Sequence, residues 1–173
     1  MLEIRHVNKH LTGEQSMKNQ ALKDLNLTLK DGDFVTIIGG NGAGKSTTLN
    51  AVAGVWPVDD GQILIDGRDV TKLPEFKRAA FLGRVFQDPM NGTVATMGIE
   101  ENLALALRRG GRRTLKPGIT GHERKLYHDL LLKLGLGLEE RLTSKVGLLS
   151  GGQRQALTLL MATLKKPKLL LFG

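Results

Sequence analysis

Nine consecutive residues, Gly39-Gly40-Asn41-Gly42-Ala43-Gly44-Lys45-Ser46-Thr47, constrain this chain more than any other segment. They fit the pattern G-x-x-x-x-G-K-[ST], in which glycines let the backbone fold around an anion with its N–H groups turned inward. Such a loop works between a strand and a helix, and the flanking sequence supplies both. Phe34-Val35-Thr36-Ile37-Ile38 is a short β-branched run, expected to form a buried parallel strand. A helix is expected from about Lys45 to Ala53, and its positive N-terminal end strengthens the anion site. Lys45 is then placed to reach β- and γ-phosphates, the Ser46 hydroxyl to coordinate Mg²⁺, and Thr47 to bond an α-phosphate.

A second motif, Leu149-Ser150-Gly151-Gly152-Gln153-Arg154-Gln155, also opens a helix, expected to run to about Leu164. Ser150 reads as its N-cap. The hydroxyl, the following amides and the helix end make a second anion site. Between the motifs, Gln87 follows an expected strand over Leu82–Phe86 and precedes Asp88-Pro89. Taken alone, a glutamine there is a solvent-facing loop residue.

The two motifs in this order, with Gln87 between them, resemble the nucleotide-binding domain of ATP-binding-cassette (ABC) ATPases, and the resemblance runs through the whole chain. It implies an α/β fold: a P-loop NTPase (RecA-like) core with an N-terminal antiparallel β part and an inserted helical subdomain, C-terminally incomplete. The expected divisions are a nucleotide-binding core over 1–94, a helical subdomain over 95–148, and a signature helix and strand over 149–173. The resemblance assigns nucleotide binding to Gly39, Gly40, Asn41, Gly42, Ala43, Gly44, Lys45, Ser46 and Thr47, and also to Ser150, Gly151, Gly152 and Gln153. It assigns metal contact to Ser46 and Gln87 and catalytic roles to Lys45 and Gln87. Family glutamines at this place touch Mg²⁺ and the attacking water and link the core to the membrane partner. Family signature loops close over the γ-phosphate held by the other subunit of a head-to-tail dimer. The implied cofactors are ATP and Mg²⁺. The implied partners are a second copy or a paired ABC ATPase subunit, and integral membrane transporter subunits. The implied location is cytoplasmic, on the inner face of the cell membrane.

The remaining pattern is compatible with that arrangement. Residues 2–7 and 22–29 alternate apolar and polar, as half-buried strands do, with a hairpin loop expected over 12–20 and a turn at Asp31-Gly32. Ile63–Ile65 reads as a strand followed by a turn at Asp66-Gly67, and 74–80 as a short helix with Pro74 near its start. Helices are expected over 99–109, with leucines at 103, 105 and 107, and over 122–134, with Leu126, Leu130, Leu131 and Leu134 on one face. Residues 110–121 read as a loop and 139–142 as a helical turn. The helix after Ser150 is apolar on most faces and expected to be buried. Leu169–Phe172 reads as a strand.

Composition excludes several classes. The chain is 40% apolar and 24% charged, as soluble globular domains are. It has no apolar run near the roughly 18 residues that span a bilayer, no secretory start, and no cysteine for disulfides or thiolate metal sites. The net charge of +8 favours anionic partners. Part of it sits in Arg108, Arg109, Arg112, Arg113 and Lys116, a solvated loop, a membrane contact or a nucleic-acid contact. No aromatics are interleaved there for base stacking, so no nucleic-acid partner is expected. His6, His10, His122 and His128 lack metal-ligand spacing. Leu11 stands where the family stacks an aromatic ring on adenine, and Trp56 either packs or recognises the base.

The family continues its last hydrophobic strand with Asp-Glu, which orient Mg²⁺ and serve as general base. Gly173 stands at the Asp position, so this chain alone is expected to hydrolyse more slowly by on the order of 10²–10⁴-fold and to be marginally stable. Two other readings follow: a non-hydrolysing ATP-binding or dimerisation fragment, and a soluble ABC ATPase of translation or DNA maintenance. The interval between the motifs leaves no room for a long coiled coil, and only one cassette is present, which argues against the latter.

Overall fold

A computed structural model describes residues 1–12, 18–111 and 118–173. The chain forms two compact units, Met1–Leu82 and Gly83–Gly173. In the first, strands β1 (Leu2–Thr12), β2 (Lys18–Leu29), β3 (Asp60–Ile65) and β4 (Arg68–Asp69) form an antiparallel sheet in the order β2-β1-β3-β4. Leu2 faces Leu29 on one side and Ile65 on the other. The alternating residues Leu2, Ile4, Val7, Leu22, Ile63 and Ile65 are buried, the period-2 pattern expected of a sheet with one covered face. Both hairpin strands outrun the apolar pattern that marks them, so residues 12 and 18–20 belong to strands rather than to the expected loop. Residues 13–17 of that loop lie outside the described residues.

Helix α1 (Lys45–Ala53) buries Ala51, Val52 and Ala53 and stops at Gly54, whose φ of 83° is left-handed. Its C-terminus is fastened by a residue with no sequence signal. Arg78, the last residue of the single-turn helix α2 (Glu75–Arg78), is 1% exposed. Its Nη1 donates to the carbonyls of Ala51 at 2.7 Å and Val52 at 2.9 Å. Nε donates to Leu73 at 2.8 Å and Nη2 to Thr71 at 2.8 Å. Burial pushes the guanidinium pKa down. A cation at a helix C-terminus is favoured by the exposed carbonyls. Gly54 is required as well, since a Cβ there would lie 2.7 Å from Arg78 Nε.

The expected strand over Phe34–Ile38 is not formed. No described strand pairs with it, and Phe34 and Ile38 are 88% and 89% exposed. β-Branched propensity is realised only where a neighbouring strand takes up the backbone groups, and the sheet of this unit is completed without this segment.

In the second unit, β5 (Leu82–Val85) and β6 (Leu169–Phe172) form a two-stranded sheet. Helices α3 (Ile99–Leu107), α4 (Gly121–Leu132) and α5 (Gly151–Thr163) enclose a core of Ile99, Leu103, Tyr127, Leu131, Leu138, Val146, Leu149 and Leu157. The buried face of α4 is set by Tyr127 and Leu131, one turn apart, whereas Leu126 is exposed; the aromatic ring, not the first leucine, leads the stripe. α5 is not buried on most faces either. Only Leu157, Thr158 and Ala162 are fully covered, and Leu159 is 44% exposed. Of the basic cluster, Arg112, Arg113 and Lys116 lie outside the described residues.

Candidate functional site

The glycine loop sits in the first unit and enters α1 through two left-handed residues, Gly42 at φ 80° and Gly44 at φ 79°. Only glycine adopts this at little cost. At Gly44 the packing adds a second reason: a Cβ would stand 2.7 Å from the Ala21 carbonyl oxygen and 3.3 Å from Leu22 Cδ2. β2 therefore sets the position of the loop. Cβ atoms on Gly40 or Gly42 would meet nothing within 4 Å, so open space surrounds these two positions. Gly39, Gly40, Asn41, Gly42 and Ala43 are exposed.

Lys45 opens α1, and its Nζ donates to the carbonyls of Gly39 and Gly40, both at 2.7 Å. The ammonium thus lies across the mouth of its own loop. No side chain caps this helix. Its first amides are left for an external acceptor, as an N-terminal anion site requires. Ser46 is exposed and free to meet a cation, while Thr47 is 7% exposed. The loop, the uncapped helix start and the cation fit a polyphosphate; the exposed hydroxyl fits a Mg²⁺ ligand.

In the second unit Ser150 caps α5, as the sequence indicates. Its hydroxyl accepts from Gln153 N at 3.3 Å, and Gln153 Oε1 accepts from Ser150 N at 3.2 Å. This reciprocal box orders the turn and still leaves the Ser150 hydroxyl proton to donate. Gly151 and Gly152 are exposed, with open space where a Cβ would go. Gln87 is exposed just after β5. It precedes a 3₁₀ turn, Pro89–Gly92, in which Asp88 Oδ1 accepts from Met90 N at 2.9 Å.

Sequence reasoning missed three supporting residues. Asn102 is fully buried in α3. Its Oδ1 accepts from Val94 N at 2.8 Å, and its Nδ2 donates to Val94 O at 3.1 Å and Gly98 O at 2.9 Å. An asparagine inside an apolar helix is a weak helix former, and that is the signal that could have found it. Buried Glu100 takes both Arg124 Nε at 2.7 Å and Nη2 at 2.8 Å, tying α3 to α4; this pairing raises the Arg124 pKa. Arg154 is the third. Trp56 is half-buried just beyond Gly54, and Leu11 is half-buried near the end of β1. His6 and His10 pair with Asp24 at 2.7 Å and Asp59 at 3.0 Å.

The family model described as ABC transporter matches residues 22–172. A tyrosine transport ATP-binding protein of Clostridioides difficile is 43% identical over 99% of this chain, which spans 68% of that protein. A spermidine/putrescine import ATP-binding protein of Aggregatibacter actinomycetemcomitans is 35% identical over 99% of the chain, which spans 41% of its length. Among solved structures, the ATP-binding cassette MJ0796, captured as a dimer in a post-hydrolysis state with ADP and Pi, superposes with a TM-score of 0.81 at 29% identity. That match covers 99% of this chain and 73% of that one. The fold is that of the P-loop NTPases. With the loop, Gln87 and the Ser150 turn all inside the matched range, the chain belongs to the ABC transporter family as its ATP-binding domain.

Proposed function

We propose that this chain forms the nucleotide-engaging part of an importer-type transporter ATPase, which binds MgATP and couples its binding and hydrolysis to solute movement through separate membrane subunits. The observation that carries the reading is the Gly39–Thr47 loop: left-handed Gly42 and Gly44, an uncapped α1, and Lys45 resting on the loop carbonyls. A polyphosphate entering the loop would draw the Lys45 ammonium from neutral carbonyls to charged oxygens, a stronger hydrogen bond. Gly40, Asn41, Gly42, Ala43 and Gly44 would offer backbone amides, Thr47 a further contact, and Ser46 with Gln87 the metal ligands. Mg²⁺, when bound, supplies charge neutralisation of the phosphates. Ser150, Gly151, Gly152 and Gln153 would face the nucleotide of a second copy or a paired subunit. The functional division into 1–94, 95–148 and 149–173 belongs to this proposal.

No helix among the described residues is long and apolar enough to cross a membrane. As a transporter subunit the chain is proposed to sit at the inner face of the cell membrane, held by membrane subunits. The names of the tyrosine and spermidine/putrescine relatives point to a small amine-bearing solute as cargo. The test is titration with a fluorescent ATP analogue and Mg²⁺. Lys45→Ala should weaken binding by about 100-fold, with circular dichroism unchanged. Equal binding by the variant would refute the site.

A further inference from the structure

The segment after Gln87 and the segment before Ser150 are tied together by a backbone ladder. Gly147 N donates to Ala95 O at 2.8 Å, Val146 N to Met97 O at 3.0 Å, Ile99 N to Ser144 O at 3.1 Å and Glu100 N to Leu142 O at 2.9 Å. The ladder fixes the far ends of both segments. The ends nearest the chemistry, the Pro89–Gly92 turn and the Leu149-Ser150 turn, lie beyond it. One side chain joins them. Arg154, on the first turn of α5, directs Nη2 to the carbonyls of Val146 and Gly147, both at 3.2 Å, and Leu149 at 3.5 Å. Its Nη1 meets the Met90 sulfur. Nε is buried without a partner. The 3₁₀ turn is also seated on α5, since a Cβ on Gly92 would lie 2.9 Å from Thr158 Cγ2. A planar fork can serve two turns at once; a lysine ammonium is a single point and cannot.

We infer that Arg154 is a positioning residue that makes the turn behind Gln87 and the turn before Ser150 move as one body. Displacement at either nucleotide contact is then transmitted to the other. The inference rests on the proposed roles of Gln87 and Ser150 in nucleotide engagement.

Hydrogen exchange followed by mass spectrometry on the full chain tests it. Arg154→Lys should speed exchange about 10-fold or more in both Met90–Met97 and Gly147–Ser150. The amides of Leu103–Ala106 and Leu157–Met161 and the melting temperature should stay unchanged. Met90→Ala, which leaves Arg154 in place, should speed exchange at Gly147–Ser150, a cross effect that a local cap would not produce. Loosening confined to Gly147–Ser150 in Arg154→Lys, no cross effect from Met90→Ala, or uniform acceleration throughout the unit would each overturn the inference. Nucleotide binding indifferent to Lys45→Ala would instead sink the functional reading, whatever the exchange pattern.

Discussion

Replacing Arg78 with methionine should cost this protein about 3 kcal/mol. The guanidinium is 1% exposed and donates to four carbonyls, of Ala51, Val52, Leu73 and Thr71. Methionine fills similar length and offers no donor. At about 1 kcal/mol per orphaned acceptor, the low end because a carbonyl keeps a second lone pair, the loss approaches about 4 kcal/mol. Removing a cation that burial already disfavours returns about 1 kcal/mol. The assay is urea unfolding followed by the fluorescence of Trp56, the chain's only tryptophan, two residues beyond Gly54. With a slope of about 1.5–2 kcal/mol/M, the midpoint should fall by about 1.5–2 M. Arg78→Lys, able to reach only part of the set, should lie between. A midpoint shift under about 0.5 M for the methionine variant would refute the claim that this side chain fastens α1.

Further outcomes are expected elsewhere. Gly44→Ala combines a left-handed φ of 79° with a Cβ 2.7 Å from a carbonyl oxygen; it should lower stability by about 2–3 kcal/mol, read from a thermal melt, and weaken nucleotide binding. Asn102→Ala strips four hydrogen bonds, one of them long, from a fully buried amide and should cost about 2–3 kcal/mol by chemical denaturation, with faster exchange at Val94. The Asp59 carboxyl is lowered to about 2, first by the backbone N–H of His10 and then by Lys9. A depressed carboxylate stabilises the fold above its ordinary value and loses that contribution as pH falls toward 2. Asp59→Asn should therefore lose less stability than the parent between pH 4 and pH 2 in acid titrations; an identical acid limb in both would contradict this.

The shape of the candidate loop and of the Ser150 turn was legible because each is built locally. Gly42, Gly44 and Lys45 must be neighbours in sequence to build a loop, and Ser150 and Gln153 cap one another three residues apart. Helix starts at Lys45 and Gly151 were likewise readable. What sequence could not show depends on distant partners. Phe34–Ile38 has every local mark of a strand, yet pairing decides, and no described strand pairs with it. The face of α4 differs from the expected leucine stripe because Tyr127, which that stripe left out, is fully buried while Leu126 is exposed. Arg78 and Arg154 take backbone carbonyls as partners, and these carry no sequence signature.

The three long helices of the second unit differ from the sheet of the first in how they begin. Gly98 N donates to Glu101 at 2.6 Å, Thr120 N to Glu123 at 2.8 Å and Ser150 N to Gln153 at 3.2 Å. Each closure spans three residues, so it lowers the nucleation cost before any tertiary contact exists. The sheet is the opposite case, for Leu2 must wait for Ile65. On refolding, helical turns around Ser150 should be established on a shorter timescale than the strand order around β1.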